Sequence, residues 1–283
     1  MSEINWFPGH MAKTRRLLEG QLRAVDAVIE LCDARAPYST RNPDLMRMAR
    51  GKAHILVLNK SDLADEAVTR AWLSFYKEQG LSAVAFQSVG GDKKQILRLI
   101  GEAASEKVER MKARGANKTV RMMVVGIPNV GKSTFINKLK GKAIAAAQDR
   151  PGVTRSNQWV KINSFLELLD TPGLLWPKLS DERGALRLAW LGSIKDDIMD
   201  TEELAAKLVR ELLILKPEAV MQRYKLDESA LSCPDEELLD KCCRGRGLLL
   251  SGGRYDTLRC ASLVLDEFRG AKLGRISLER VGV

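Results

Sequence analysis

Two short stretches of this 283-residue chain have residue types and spacings suited to binding a nucleoside triphosphate. In GIPNVGKST (126–134), Gly126, Gly131, Lys132 and Ser133 stand at the spacing of a phosphate loop, with Val130 and Thr134 beside them. The stretch follows the apolar run RMMVV and opens a helical pattern. Glycines there let backbone N–H groups turn inward around phosphate oxygens, and a helix N-terminus adds positive potential. Lys132 is then the group for the β- and γ-phosphate oxygens, and Ser133 places a hydroxyl on Mg²⁺. In NKSD (59–62), directly after the apolar run HILVL, Asp62 suits the N1–H and 2-amino donors of guanine, a pair that adenine lacks. Asn59 would brace the loops, and the aliphatic stem of Lys60 would cover the base.

Three further segments complete the constellation. LLDTPG (168–173) ends an apolar run with Asp170, an acid suited to a water-mediated hold on Mg²⁺, and with Gly173, whose N–H faces a γ-phosphate. DRPGVTRSN (149–157) offers Thr154 as a metal ligand from a loop, and FQSVGG (86–91) offers Ser88 and backbone amides near the base. Each segment alone reads as an ordinary turn; together they specify guanine nucleotide.

Elements able to position these residues alternate along the chain. Buried strands are expected within 24–35, 53–60, 81–91 and 121–127, and two more across 156–170. Helical patterns separate them, including 65–80 with Leu73 and Tyr76 on one face, and 92–115 with Ile96, Leu99, Ile100 and Ala103 at helical spacing. This alternation implies an α/β fold with a doubly wound parallel sheet. After TPGLLWP the pattern becomes helical, over 200–225, 234–247 and 254–274.

Net charge is +10 and is unevenly placed. Residues 1–175 hold 28 Lys and Arg against 17 Asp and Glu, hence +11; residues 176–283 hold 18 against 19, hence −1. The basic portion includes Lys13, Arg15, Arg16, Lys93, Lys94, Arg98, Lys107 and Arg110, a field that draws polyanions. Trp6 and Phe7 stack on a base or anchor their segment to the domain. No stretch is long and apolar enough to cross a bilayer, and no signal peptide is evident, so a soluble protein is expected. Five scattered cysteines and two histidines fit reduced thiols in the cytoplasm better than zinc or disulfides.

The segments resemble the five boxes of translation-factor-class GTPases, in rotated order: base loop, second base loop, phosphate loop, switch loop, DTPG. That rotation, with NWFPGHMAKT near the start and the helical region after DTPGLLWPK, resembles the YlqF/RbgA family of circularly permuted GTPases over nearly the whole chain. The resemblance implies a circularly permuted P-loop GTPase domain over 1–177 with a mostly parallel sheet, and a smaller all-helical, RNA- and ribosome-binding domain over 178–283. It also implies hydrolysis of GTP to GDP with Mg²⁺, in late assembly of the large (50S) ribosomal subunit, stimulated by the particle. Ribosomal RNA is then the polyanion, DNA is not expected, and the protein is a monomer away from the particle. Rotation leaves the pocket intact, because the loops leave the carboxyl ends of parallel strands and chain order decides only which ends are joined.

Leu174 follows DTPG where many switches carry a water-orienting glutamine. Two candidates fill that gap: Asn129, for a monovalent cation such as K⁺ beside the phosphates, and His10, to reach the γ-phosphate. Lys132, Thr154 and Gly173 complete the catalytic set, against a competing reading of His10 as a capping or surface residue. Rival functions are a GTP-dependent RNA scaffold with little turnover and an ATP-using kinase or transport-type ATPase. Replacing Asp62 with Asn is expected to move triphosphate preference from GTP to xanthosine triphosphate in competition binding; unchanged GTP preference would contradict the guanine assignment.

Overall fold

Aliphatic and β-branched runs form a six-stranded sheet: β1 (Ala27–Asp33), β2 (Ala53–Asn59), β3 (Ser82–Ala85), β4 (Val120–Val125), β5 (Gln158–Lys161) and β6 (Leu166–Asp170). The computed structural model describes residues 18–112, 119–141, 158–173, 181–194 and 199–282. Strand order is β3-β2-β1-β4-β6-β5, parallel except for β5, which pairs antiparallel with β6. All seven residues of β1 are buried, as a central strand covered on both faces requires. The chain winds outward from β1 through β2 to β3, then returns to β4 on the other side of β1. The carboxyl ends of β1 and β4 therefore flank the point where the winding reverses, the place where such sheets bind ligands.

The strand period of two divides the core cleanly. Ile29, Leu31, Ile55, Val57, Met122, Val124 and Leu168 face one side. There they meet Ile96 and Ile100 of α4 (Lys94–Lys112) and Phe135, Ile136 and Leu139 of α5 (Lys132–Lys140). Their neighbours face the other side. Val28, Met123 and Leu169 pack on α1 (18–24) and α2 (Pro43–Met48), while Cys32, Leu56 and Leu58 pack on α3 (Glu66–Glu78). The buried stripe of α3 is Thr69, Trp72 and Tyr76, and Leu73 sits at its half-buried margin, because the bulkier Trp72 takes the central place.

Beyond the sheet come α6 (Glu182–Trp190), α7 (Thr201–Leu215), α8 (Pro217–Tyr224), α9 (Asp235–Arg246) and α10 (Thr257–Arg269). The sequence reading did not mark α6, although Asp181 caps its first turn by accepting from the Arg183 and Gly184 amides. The continuous pattern over 200–225 is two helices, since Pro217 lacks the N–H needed to carry the first onward and instead opens the second. The apolar interior of these helices joins the first face of the sheet in one core that includes Leu188, Trp190, Leu208, Leu212 and Val264. Cys242, Cys243 and Cys260 are buried in it, and burial pushes the Cys242 thiol up to about 12, which makes it unreactive.

The helical reading of the C-terminal region extends only to Arg269. Residues 275–279 are not helical and run back along the loop that follows β2. Arg275 Nη2 donates to Ser61 O at 2.9 Å, Ile276 N to Leu63 O at 3.2 Å, and Leu278 N to Arg35 O at 2.7 Å. Asp65 N donates to Ser277 Oγ at 3.1 Å. Glu279 ends this segment 4% exposed and accepts from Tyr38 N (2.7 Å), Ser39 N (3.1 Å), Ser39 Oγ and Arg187 Nη1 (3.1 Å). Removing one partner of a buried ion pair leaves the other charge uncompensated. Glu279→Ala is expected to lose about 3 kcal/mol in urea denaturation with an unchanged m-value; a loss within 0.5 kcal/mol, roughly the surface-substitution range, would show that the segment is dispensable.

Candidate functional site

The phosphate-loop sequence connects β4 to α5. Gly131 stands before the helix with φ 92°, in the left-handed region, and no side chain caps α5. By contrast Asp181, Asp200 and Asp256 cap α6, α7 and α10. The N-terminus of α5 thus presents its dipole without a built-in acceptor, the arrangement an anion needs. Lys132 is 7% exposed and its Nζ donates to Gly126 O (3.2 Å) and Ile127 O (2.8 Å), which curls the ammonium over the loop. Burial pushes its pKa down to about 8; Asp170 opposes that shift and Lys60 adds to it.

Asn59 joins this loop to the base loop. Its Nδ2 donates to Val130 O at 2.7 Å, while its Oδ1 accepts from Ser88 Oγ (2.8 Å) and Ser88 N (3.2 Å). A side chain on Gly131 would bring a Cβ to 2.5 Å from Asn59 Nδ2, so this approach requires glycine. Lys60, with φ 58°, sends its Nζ to Asn129 O at 2.6 Å. Ser88 is directed at Asn59 in this arrangement, and Asp62 lies exposed two residues after Lys60. Segments following β2, β3 and β4 are thereby fastened together at one edge of the sheet.

Asp170, at the end of β6, stands beside the phosphate loop. Its Oδ2 accepts from Ser133 Oγ at 3.1 Å, and its Oδ1 is buried without a hydrogen-bond partner among the described residues. Burial raises its pKa, moderated by Lys132 and by the Ser133 hydroxyl. An orphaned carboxylate oxygen next to a serine hydroxyl is a hard-oxygen donor set that suits a divalent cation. Thr134 is half-buried in the first turn of α5. Gly173 packs so closely that an added Cβ would lie 2.7 Å from the Pro128 backbone.

The helical region reaches the same loop. Asn129 has φ 60° and its Nδ2 donates to Gly192 O at 2.7 Å; Ser193 Oγ donates to Pro128 O at 2.9 Å. The Asn129 amide, read from sequence as a helper for a monovalent cation, is thus turned toward the end of α6. The Gly192–Ser193 contact went unseen in the sequence, where α6 itself was unmarked. Asp33 and Arg35, at the end of β1, were also passed over as site residues. A carboxylate closing a buried parallel strand is the signal that marks them. His10 and Thr154 lie outside the described residues, as do Trp6, Phe7 and Leu174.

Fold and loops together define a P-loop GTPase in which the base loop precedes the phosphate loop. A family model described as "50S ribosome-binding GTPase" matches residues 121–223. Ribosome biogenesis GTPase A of Priestia megaterium is 47% identical over 281 residues, covering 98% of this chain and 96% of that protein. Its Thermotoga maritima counterpart is 33% identical over 279 residues, covering 98% and 94%. The crystal structure of GNP-bound YlqF from T. maritima superposes with a TM-score of 0.66 at 29% identity, covering 95% of this chain and 98% of that one. The chain belongs to the ribosome biogenesis GTPase A family.

If Lys132 meets the phosphates of a bound nucleotide, as its place in the loop predicts, nucleotide binding is proton-linked. In the free protein its pKa is about 8; a bound polyphosphate favours the charged form and raises it. Binding above pH 8 must therefore take up a proton. GDP affinity is expected to be level below pH 8 and to fall as pH rises to 9, approaching tenfold per unit (roughly 1.4 kcal/mol). Titration calorimetry in buffers of different ionisation enthalpy reads the uptake directly, and none at pH 9 would contradict the assignment.

Proposed function

We propose that this chain hydrolyses GTP while bound to an immature large ribosomal subunit in late assembly, and that the particle stimulates the reaction. The observation that carries this reading is the Asn59 amide bridging Val130 and Ser88. It makes one site of a guanine-selecting loop and a phosphate-holding loop. Asp62 selects the base and the Lys60 stem lies against it. The phosphate-loop backbone from Asn129 through Thr134 surrounds the phosphates, Lys132 neutralises the β- and γ-oxygens, and the Gly173 N–H meets the γ-phosphate. Ser133 and Asp170, with Thr154, would hold Mg²⁺, for which the orphaned Asp170 Oδ1 is the fitting donor. Bound Mg²⁺ supplies charge neutralisation between the β- and γ-phosphates.

An aliphatic residue follows DTPG, so in-chain water orientation is weak and intrinsic turnover slow. His10 is the group we assign to the attacking water when the chain is on the particle. K⁺ near Asn129 is the ion we assign to part of the charge stabilisation, which requires the Asn129–Gly192 contact to open. In this reading residues 1–177 form the nucleotide domain and residues 178–283 meet ribosomal RNA. The protein acts in the cytoplasm as a monomer when off the particle. Among the described residues no helix is long and apolar enough to cross a membrane.

DTPG leads through residues 174–180 into α6, whose far end touches the phosphate loop. Loss of the γ-phosphate would act on α6 from both ends, which supports nucleotide control of the helical region. GTP turnover measured in K⁺ and in Na⁺, with and without large ribosomal subunits, tests the proposal. Subunits are expected to raise turnover at least tenfold in K⁺, on the order of 1.4 kcal/mol of barrier. Tight GTP binding with no turnover in any of the four conditions would favour a scaffold.

A further inference from the structure

The end of β1 carries a charged group to which no role above is assigned. Asp33 is the register partner of Asn59, lies at the point where the winding reverses, and is 1% exposed. Its Oδ1 accepts from the Arg35 amide (3.1 Å) and Nε (2.9 Å), and its Oδ2 from Arg35 Nη2 (2.8 Å). That bidentate pair would satisfy a buried carboxylate by itself. A second cation nonetheless approaches: Lys60 Nζ stands 3.4 Å from Asp33 Oδ2. Burial favours the protonated acid, yet Arg35 and then Lys60 hold the Asp33 carboxyl well below the usual carboxylate range.

Lys60 is unusual in its own backbone. A φ of 58° lies in the left-handed region, which crowds an L side chain and where glycine is the usual occupant. The lysine is kept there with its ammonium set between the Asn129 carbonyl at 2.6 Å and the Asp33 carboxylate. Two anchors define the direction of a long stem that would otherwise sample many rotamers. The 3.4 Å spacing is longer than a tight charge-assisted hydrogen bond, so the ammonium is directed electrostatically and retains freedom to adjust when a ring enters. Arg35 leads away from the site: Nη1 donates to Arg269 O at 3.2 Å and the guanidinium lies 5.4 Å from the Phe268 ring centroid.

We propose that Asp33 is a positioning residue for guanine nucleotide, acting through the Lys60 ammonium to lay the lysine stem along the face of the bound base, with Arg35 holding the carboxylate in place. The inference rests on reading residues 59–62 as the base loop. A purely structural Asp33–Arg35 pair would leave Lys60 irrelevant, and a double-mutant cycle separates the two cases.

GDP and ADP affinities of the full chain are measured for the wild type, Asp33→Asn, Lys60→Met and the double variant, with thermal midpoints alongside. Asp33→Asn is expected to weaken GDP binding about tenfold, and to have little further effect once Lys60 is Met. The same loss in both backgrounds would overturn the proposal, as would unaltered GDP affinity in Asp33→Asn. If Asp33→Asn fails to fold, Asp33→Asn with Arg35→Met, which leaves no unpaired buried guanidinium, enters the same cycle and is read the same way. A wild type that does not prefer GDP to ADP would instead sink the base-loop reading itself.

Discussion

The loops of the candidate site are joined through one buried amide. Asn59 reaches from the end of β2 to the backbone of the phosphate loop after β4 and receives Ser88 from beyond β3. An amide has both donors and an acceptor, so a single side chain can satisfy a carbonyl on one loop and a hydroxyl on another. No ionised residue would do both, and no apolar one either. Because the three strands run parallel, their carboxyl ends already lie at the same edge. The amide converts that proximity into fixed relative positions, whatever order the chain visits them in.

The charges around this amide are graded by burial. Lys132 and Asp170 each sit where burial disfavours their ionised form, and each partly relieves the other. Asp33 is buried more completely but has two cations beside it and stays ionised. The first pair is therefore the one whose charges a nearby ion would alter most. The second is already satisfied and serves to hold other groups still. Readiness and rigidity are built from the same residue types by changing only the number of partners.

Much of this could be read from the chain. Gly126, Gly131, Lys132 and Ser133 announce themselves because phosphate chemistry permits few alternatives at that spacing, and apolar runs place β1, β2, β4 and β6 within a few positions. Less visible were features fixed by long-range packing. Asp181 begins a helix in the stretch between TPGLLWP and residue 200, where no helical pattern was marked. Trp72, not Leu73, takes the centre of α3 because of what lies beneath it. Asn129 faces α6 for a reason no local pattern contains, since Gly192 lies 63 residues away. Ile276, Ser277, Leu278 and Glu279 are all buried although they alternate apolar and polar, so the pattern by itself would leave Ser277 and Glu279 in solvent.

That last segment gives the molecule an order in time. Asp65 and Ser277 are 212 residues apart, and Ser61 and Leu63 also take partners from this late stretch. During synthesis the sheet and both loops can assemble while the material that stiffens the base side has not yet been made. A nascent chain would thus own a pocket with one slack wall. Full stiffening of that wall is deferred until translation has passed the helices that precede residue 275.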